Sequence, residues 1–164
     1  MVRKGIFLFV LLLTSCQTNQ SGIGYSVDFC CVEKIYRTFT VRSENFPEFL
    51  RPLMVSSFQA VFSEKGFNPV ERNGDLEVLL RYEQEDIDEV SRLDDFEGHL
   101  EPGGKLRYMA KVRIEIRELS GGLVWSGNMQ RIHDVDAGEY MHAGKATVAL
   151  QNTMRLMLKS FSDQ

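Results

Sequence analysis

The stretch that decides the fold runs from Lys105 to His133, KLRYMAKVRIEIRELSGGLVWSGNMQRIH. Leu106, Tyr108, Ala110, Val112, Ile114 and Ile116 alternate with Arg107, Lys111, Arg113, Glu115 and Arg117. Successive side chains of a strand point to opposite faces, so strict period two over this length predicts a long strand with one dry and one wet face. Ser120-Gly121-Gly122 follows as a hairpin signal, because glycine tolerates the positive φ that a tight turn needs. Leu123 to His133 is then the return strand, and Trp125 just past the turn is expected to bury a large area against a helix.

Working outward, Leu76, Val78, Leu80 and Tyr82 alternate with Glu77 and Arg81 after Asn73-Gly74, which predicts another strand, with Leu79 marking half-burial of its second face. Tyr25–Val32 and Ile35–Val41 carry strand-type residues, with Glu33-Lys34 as a turn or bulge between them. Between these strands the period changes. Phe46, Leu50, Leu53, Met54, Phe58, Val61 and Phe62 recur at spacings of three and four, the pattern of an amphipathic helix. Ser43 or Asn45 is the expected cap, Gly66 the expected end, and Pro52 puts the start near Arg51. A second helix is expected from about Ala143 to Phe161, with Ala146, Leu150, Met154, Met157, Leu158 and Phe161 on one stripe. The order ββαβββα predicts a single α+β two-layer domain, a mainly antiparallel sheet with two helices packed on one face.

The N-terminus carries a different kind of signal. Arg3 and Lys4 precede eight apolar residues, Ile6 to Leu13. A helix of that length covers about 12 Å, far short of the ~30 Å hydrocarbon core of a bilayer, so a signal peptide is expected rather than a spanning helix. Leu13-Thr14-Ser15-Cys16 then resembles the lipobox of bacterial lipoproteins, which implies cleavage after residue 15 and acylation of the Cys16 thiol. Residues 16–24 read as the lipidated cysteine and a flexible tether reaching about 15 Å, and residues 25–164 as the domain. Gln17 in place of an aspartate points to the periplasmic face of the outer membrane.

Loss of Arg3 and Lys4 with the signal takes the formal charge from −4 to −6. Such a surface offers no general attraction to nucleic acid, so none is expected as a partner. With Cys16 acylated, Cys30 and Cys31 remain. As strand neighbours they point to opposite faces, and the expectation is one buried small hydrophobe and one outward thiol rather than a disulfide between them.

Four further stretches, YRTFTV, FSEKGFNPV, NGDLEVLLRY and VRIEIRELSGGLVWSG, occur in that order behind the lipobox. Together they resemble the DUF4136 family of bacterial lipoproteins over roughly Tyr25 to Phe161. The resemblance implies the α+β fold and an envelope location, and it transfers no catalytic residue. The acidic stretch after Tyr82, Cys30 and Cys31 match nothing in that pattern.

Chemistry-bearing residues are sparse. His133, Asp134, Asp136, Glu139 and His142 fall within ten residues. Imidazole and carboxylate together can hold zinc or move protons, but His133 and His142 lack short ligand spacing, and the stretch reads as a solvated loop before the second helix. Glu83, Glu85, Asp86, Asp88, Glu89, Asp94, Asp95 and Glu97 place eight acids in fifteen residues. Their order does not match a calcium-binding EF-hand loop, and they too read as solvated. Nucleophile elbows, phosphate-cradling loops and dinucleotide fingerprints are absent from the sequence. The expectation is a non-enzymatic, membrane-anchored accessory or interaction domain without metal or cofactor, with an envelope protein as partner. The alternative is a lipid or small-molecule carrier using a groove between the sheet and the Phe- and Met-rich helices.

Overall fold

The computed structural model describes residues 22–30, 34–87, 105–136 and 143–161. The elements are β1 (Gly24–Cys30), β2 (Thr38–Glu44), α1 (Arg51–Glu64), β3 (Asn68–Pro69), β4 (Leu76–Asp86), β5 (Lys105–Glu118), β6 (Leu123–Asp136) and α2 (Ala143–Met157), followed by a 3-10 turn at Leu158–Ser160. One six-stranded sheet in the order β1-β6-β5-β4-β2-β3 carries both helices on one face, so the α+β two-layer architecture stands.

The centre of the sheet follows the period-two reading. β4, β5 and β6 run antiparallel, with Leu80 opposite Ile114, Ile114 opposite Gly127 and Ile116 opposite Trp125. Val78, Leu80, Ile114, Ile116 and Trp125 are fully buried, and Leu79 on the other face is half-buried. Gly127 is required where it stands: a Cβ there would lie 2.8 Å from both the Trp125 ring and the Ser26 carbonyl oxygen. Trp125 donates its ring N–H to Ser160 Oγ at 3.2 Å, fixing the last turn of the chain against the sheet.

Three expectations are corrected. β1 and β2 are not neighbours: β1 pairs antiparallel with β6 at one edge, whereas β2 pairs parallel with β4. Parallel partners need a crossover, and α1 supplies it between them. Next, Ile23 and Gly24 belong to the domain and not to the tether, since Ile23 is buried and β1 starts at Gly24. Finally, β4 runs on to Asp86 and β6 to Asp136, so Glu83, Glu85 and Asp86 are strand residues, as are Asp134 and Asp136. The ladder continues because backbone pairing at a solvated sheet end tolerates charged side chains. Asp88, Glu89, Asp94, Asp95, Glu97, Glu139 and His142 lie outside the described residues.

α1 begins at Arg51 with Pro52 in its first turn, as the proline requires, but neither Ser43 nor Asn45 caps it. Ser43 is a β2 residue, and Asn45 turns the chain with φ of 61°. The first amides are satisfied by a turn instead, Leu50 and Arg51 both donating to the Pro47 carbonyl. Gly66 ends the helix with φ of 94°. The parallel β2/β4 pairing is pinned at its start by Asp75. Its carboxylate accepts the amides of Arg37 and Thr38 at 2.9 Å, while Thr38 Oγ1 accepts the Asp75 amide at 3.0 Å. These amides hold the Asp75 carboxyl below the usual range. Gly74 beside it passes so close to β2 that a Cβ would sit 2.7 Å from the Phe39 carbonyl carbon.

The core is joined by aromatic rings around Phe62. It stacks on Phe67 at 4.4 Å and meets Phe39 and Phe161 edge-on at 4.9 and 5.3 Å. Four segments of the chain, α1, β2, the approach to β3 and the C-terminal turn, thus converge on one ring that is fully buried. Phe62→Ala is expected to lower the free energy of unfolding by about 3–5 kcal/mol, as buried aromatic truncations do. Urea denaturation followed by circular dichroism checks this, and a loss under about 1 kcal/mol would contradict the central role of that ring.

Candidate functional site

The two helices do not cover the dry face of the sheet completely. Where Leu50, Leu53 and Met54 of the α1 segment approach Leu150 of α2 across Val112 and Met129, they leave an apolar groove enclosing about 120 Å³. Ile23 lines it, and Phe49 projects at its rim, 83% exposed.

The mouth of the groove is built by strand register. Ala110 lies opposite Arg131 and Tyr108 opposite His133, so Arg131 and His133 continue the face that carries Trp125, Gly127 and Met129. The face that is apolar under the helices becomes polar where the cover ends, with Tyr82, Tyr108, Arg131 and His133 all lining the opening. The His133 ring stacks on Tyr108 at 4.8 Å and 11°. Burial, and then the positive charge of Arg131, hold the His133 imidazole below its ordinary pKa, which favours the neutral ring. Burial raises the Tyr82 hydroxyl, with Tyr108 adding to the effect. Arg131 is half-buried at this mouth and makes no ion pair among the described residues.

A second polar cluster sits at the β5/β6 turn. Glu118 accepts Tyr36 Oη at 2.5 Å, Lys34 Nζ at 2.9 and 3.0 Å, and Ser120 Oγ at 2.9 Å. It latches the segment between β1 and β2 onto the hairpin. The Tyr36 bond and then the Lys34 bond hold the Glu118 carboxyl down to about 2. Burial and the same carboxylate push the Tyr36 hydroxyl up to about 12.

Of the residues singled out from sequence, His133 is a strand residue stacked on tyrosine and not part of a loop. His142 and Cys16 lie outside the described residues. Among the described residues no group of three His, Cys, Asp or Glu is placed to hold a metal ion. Cys30 is disulfide-bonded, which corrects the expectation of an unpaired sulfur at this position. Residue spacing alone cannot exclude a partner sulfur within reach. Cys30 Sγ also lies 3.0 Å from the Ser160 carbonyl oxygen. The groove forms where the carrier alternative puts one, but its volume is below the ~300–1,000 Å³ of sites that engulf drug-sized ligands, and a whole diacyl lipid exceeds it. Arg131 and Tyr108 were missed as site residues. The signal was present: period two places Arg131 on the face of Trp125 and Met129, and a charge on a dry face calls for an explanation.

No protein-family model matches the sequence, and no curated protein matches it. Among solved structures, the chain is similar to a PelC dodecamer from Paraburkholderia phytofirmans at 10% identity, covering 84% of this chain and 94% of that one with a TM-score of 0.46. It is similar to a minor lipoprotein from Acinetobacter baumannii at 7% identity, covering 75% and 88% with a TM-score of 0.39. It is also similar to rare lipoprotein B from Shewanella oneidensis at 9% identity, covering 76% and 92% with a TM-score of 0.38.

The Glu118 latch predicts opposite pH limbs for stability. A lowered carboxyl contributes stability that is complete above its ordinary pKa near 4.5 and is lost as pH falls toward about 2. A raised phenol contributes stability that is complete below its ordinary value of 10.0 and is lost as pH rises toward about 12. Tyr36→Phe is expected to flatten both limbs in urea midpoints measured across pH, and unchanged limbs would contradict the latch.

Proposed function

We propose that this chain is a lipid-anchored, non-enzymatic domain of the bacterial cell envelope, held by Cys16 on the periplasmic face of the outer membrane and serving as an accessory to an envelope protein partner. The observation that carries the reading is Leu13-Thr14-Ser15-Cys16 directly after the apolar run Ile6 to Leu13. The resemblance of four sequence stretches to DUF4136 lipoproteins supports it.

The position of the first core residue adds to that support. Ile23 is buried in the domain, so Gln17 to Gly22 is all that separates the proposed acylated cysteine from the folded unit. Six residues span at most about 20 Å, which would keep the domain against the membrane surface. Two acyl chains at ~0.8 kcal/mol per buried CH₂ make such an anchor stable.

Cys16→Ser should abolish acylation, because serine has no thiol to form the thioether, and should leave the fold intact. Cells labelled with a radioactive fatty acid and then fractionated provide the measurement. Label on the wild-type chain in the outer-membrane fraction, absent from Cys16→Ser, is the expected result. A wild-type chain that takes up no label, or a Cys16→Ser chain that still matures and sorts to the outer membrane, overturns the reading.

A further inference from the structure

We propose that the groove between the sheet and the two helices binds a small amphipathic monocarboxylate, with its alkyl tail in the cavity and its carboxylate on the Arg131 guanidinium. This goes beyond the lipoprotein reading and does not depend on acylation of Cys16.

The inference starts from the charge. Arg42, Arg81, Arg113, Arg117 and Arg155 each pair with a carboxylate within 3.2 Å. Arg37, Arg51, Arg72 and Arg107 also lack a carboxylate partner among the described residues but are exposed, so position is what sets Arg131 apart. It projects from the helix-covered face, is half-buried, lines an apolar groove and has no carboxylate partner among the described residues. A guanidinium drawn out of water beside apolar surface is costly unless an anion meets it. Its planar fork matches a carboxylate in two parallel hydrogen bonds.

The surroundings narrow the ligand. Tyr108 stands diagonally across β5 and β6 from Arg131 on the same face, and its hydroxyl donates to no group among the described residues, so it is a second donor at the mouth. Among the described residues no second cation lines the groove apart from His133, whose burial favours the neutral ring. One positive charge suits a monoanion rather than a phosphate dianion. Behind the mouth, Leu50, Leu53, Met54, Met129 and Leu150 present only apolar side chains. The enclosed volume of about 120 Å³ is slightly less than the ~150 Å³ of an engineered cavity that takes up benzene. An alkyl segment of about six carbons is therefore the size that fills it.

The test uses the full chain in phospholipid nanodiscs with ¹³C-methyl methionine, because Met54 and Met129 line the cavity and are buried. Butanoate, hexanoate and octanoate are titrated, with octan-1-ol as the uncharged control. Saturable shifts of both methyl signals are expected, with affinity rising about three- to fourfold per methylene until the cavity is full. Arg131→Gln should weaken octanoate about tenfold and leave octan-1-ol unchanged, while Arg131→Lys restores part of the loss. The Cys16→Ser chain should bind octanoate like the wild type, which separates this result from the fate of the lipid anchor. The proposal is overturned if octanoate moves neither methyl signal, if the shifts grow without saturation in step with partitioning into the bilayer, or if Arg131→Gln binds octanoate as tightly as the wild type.

Discussion

The ring of Phe62 is the point on which the two layers depend. A helix cannot hold its apolar stripe against a sheet unless side chains from both interlock, and here a single aromatic group touches β2, the chain after α1 and the C-terminal turn. Edge-on and stacked contacts at these distances add specificity beyond the buried area itself. The consequence reaches past the core. Phe62 and Phe161 join the C-terminal ends of the two helical segments, and the groove lies toward their other ends, lined by Leu50, Leu53 and Leu150.

Much of this was legible in the sequence, for identifiable reasons. The β5/β6 hairpin could be read because its face is apolar at every second position and its turn contains two glycines. Pro52 fixed the start of α1 because its ring admits few alternatives. What could not be read was pairing between distant strands. Nothing local distinguishes a β2 that joins β1 from one that lies parallel to β4, since that choice is made by the crossover helix and by the Asp75 clamp. The strand ends were misjudged because charge looks like loop, whereas Glu83↔Lys111 and Asp86↔Tyr108 continue a ladder. The site was hidden for a related reason. Arg131 looks like one more surface cation until the helices are seen to stop short of it.

The two faces of the sheet make opposite use of charge. On the open face Arg42 meets Glu77 and Arg81 meets Glu44, while Glu115 sits between Arg113 and Arg117. The Arg42 and Arg81 pairs are exposed, and such pairs are worth little individually, whereas the Glu115 side chain is largely covered. The effect of these charges is to neutralise one another locally. On the covered face the Arg131 guanidinium, without a carboxylate partner among the described residues, stands next to apolar surface, where the same charge has a much larger effect because water is scarcer. Recognition chemistry is concentrated on the face that packing also uses.

The placement of β1 has a mechanical consequence. Its partner is β6, and Asp28 meets Asn128 a hundred residues further along the chain. Closing so long a loop is entropically disfavoured and slow relative to a hairpin whose strands are joined by a few residues. β1 occupies an edge, with an irregular register between Val27 and Phe29. Any pull on the N-terminus falls first on this ladder. Loss of β1 would bare the β6 edge from Trp125 to Gln130, while the Cys30 contact with the Ser160 carbonyl ties the far end of the same strand to the C-terminal turn.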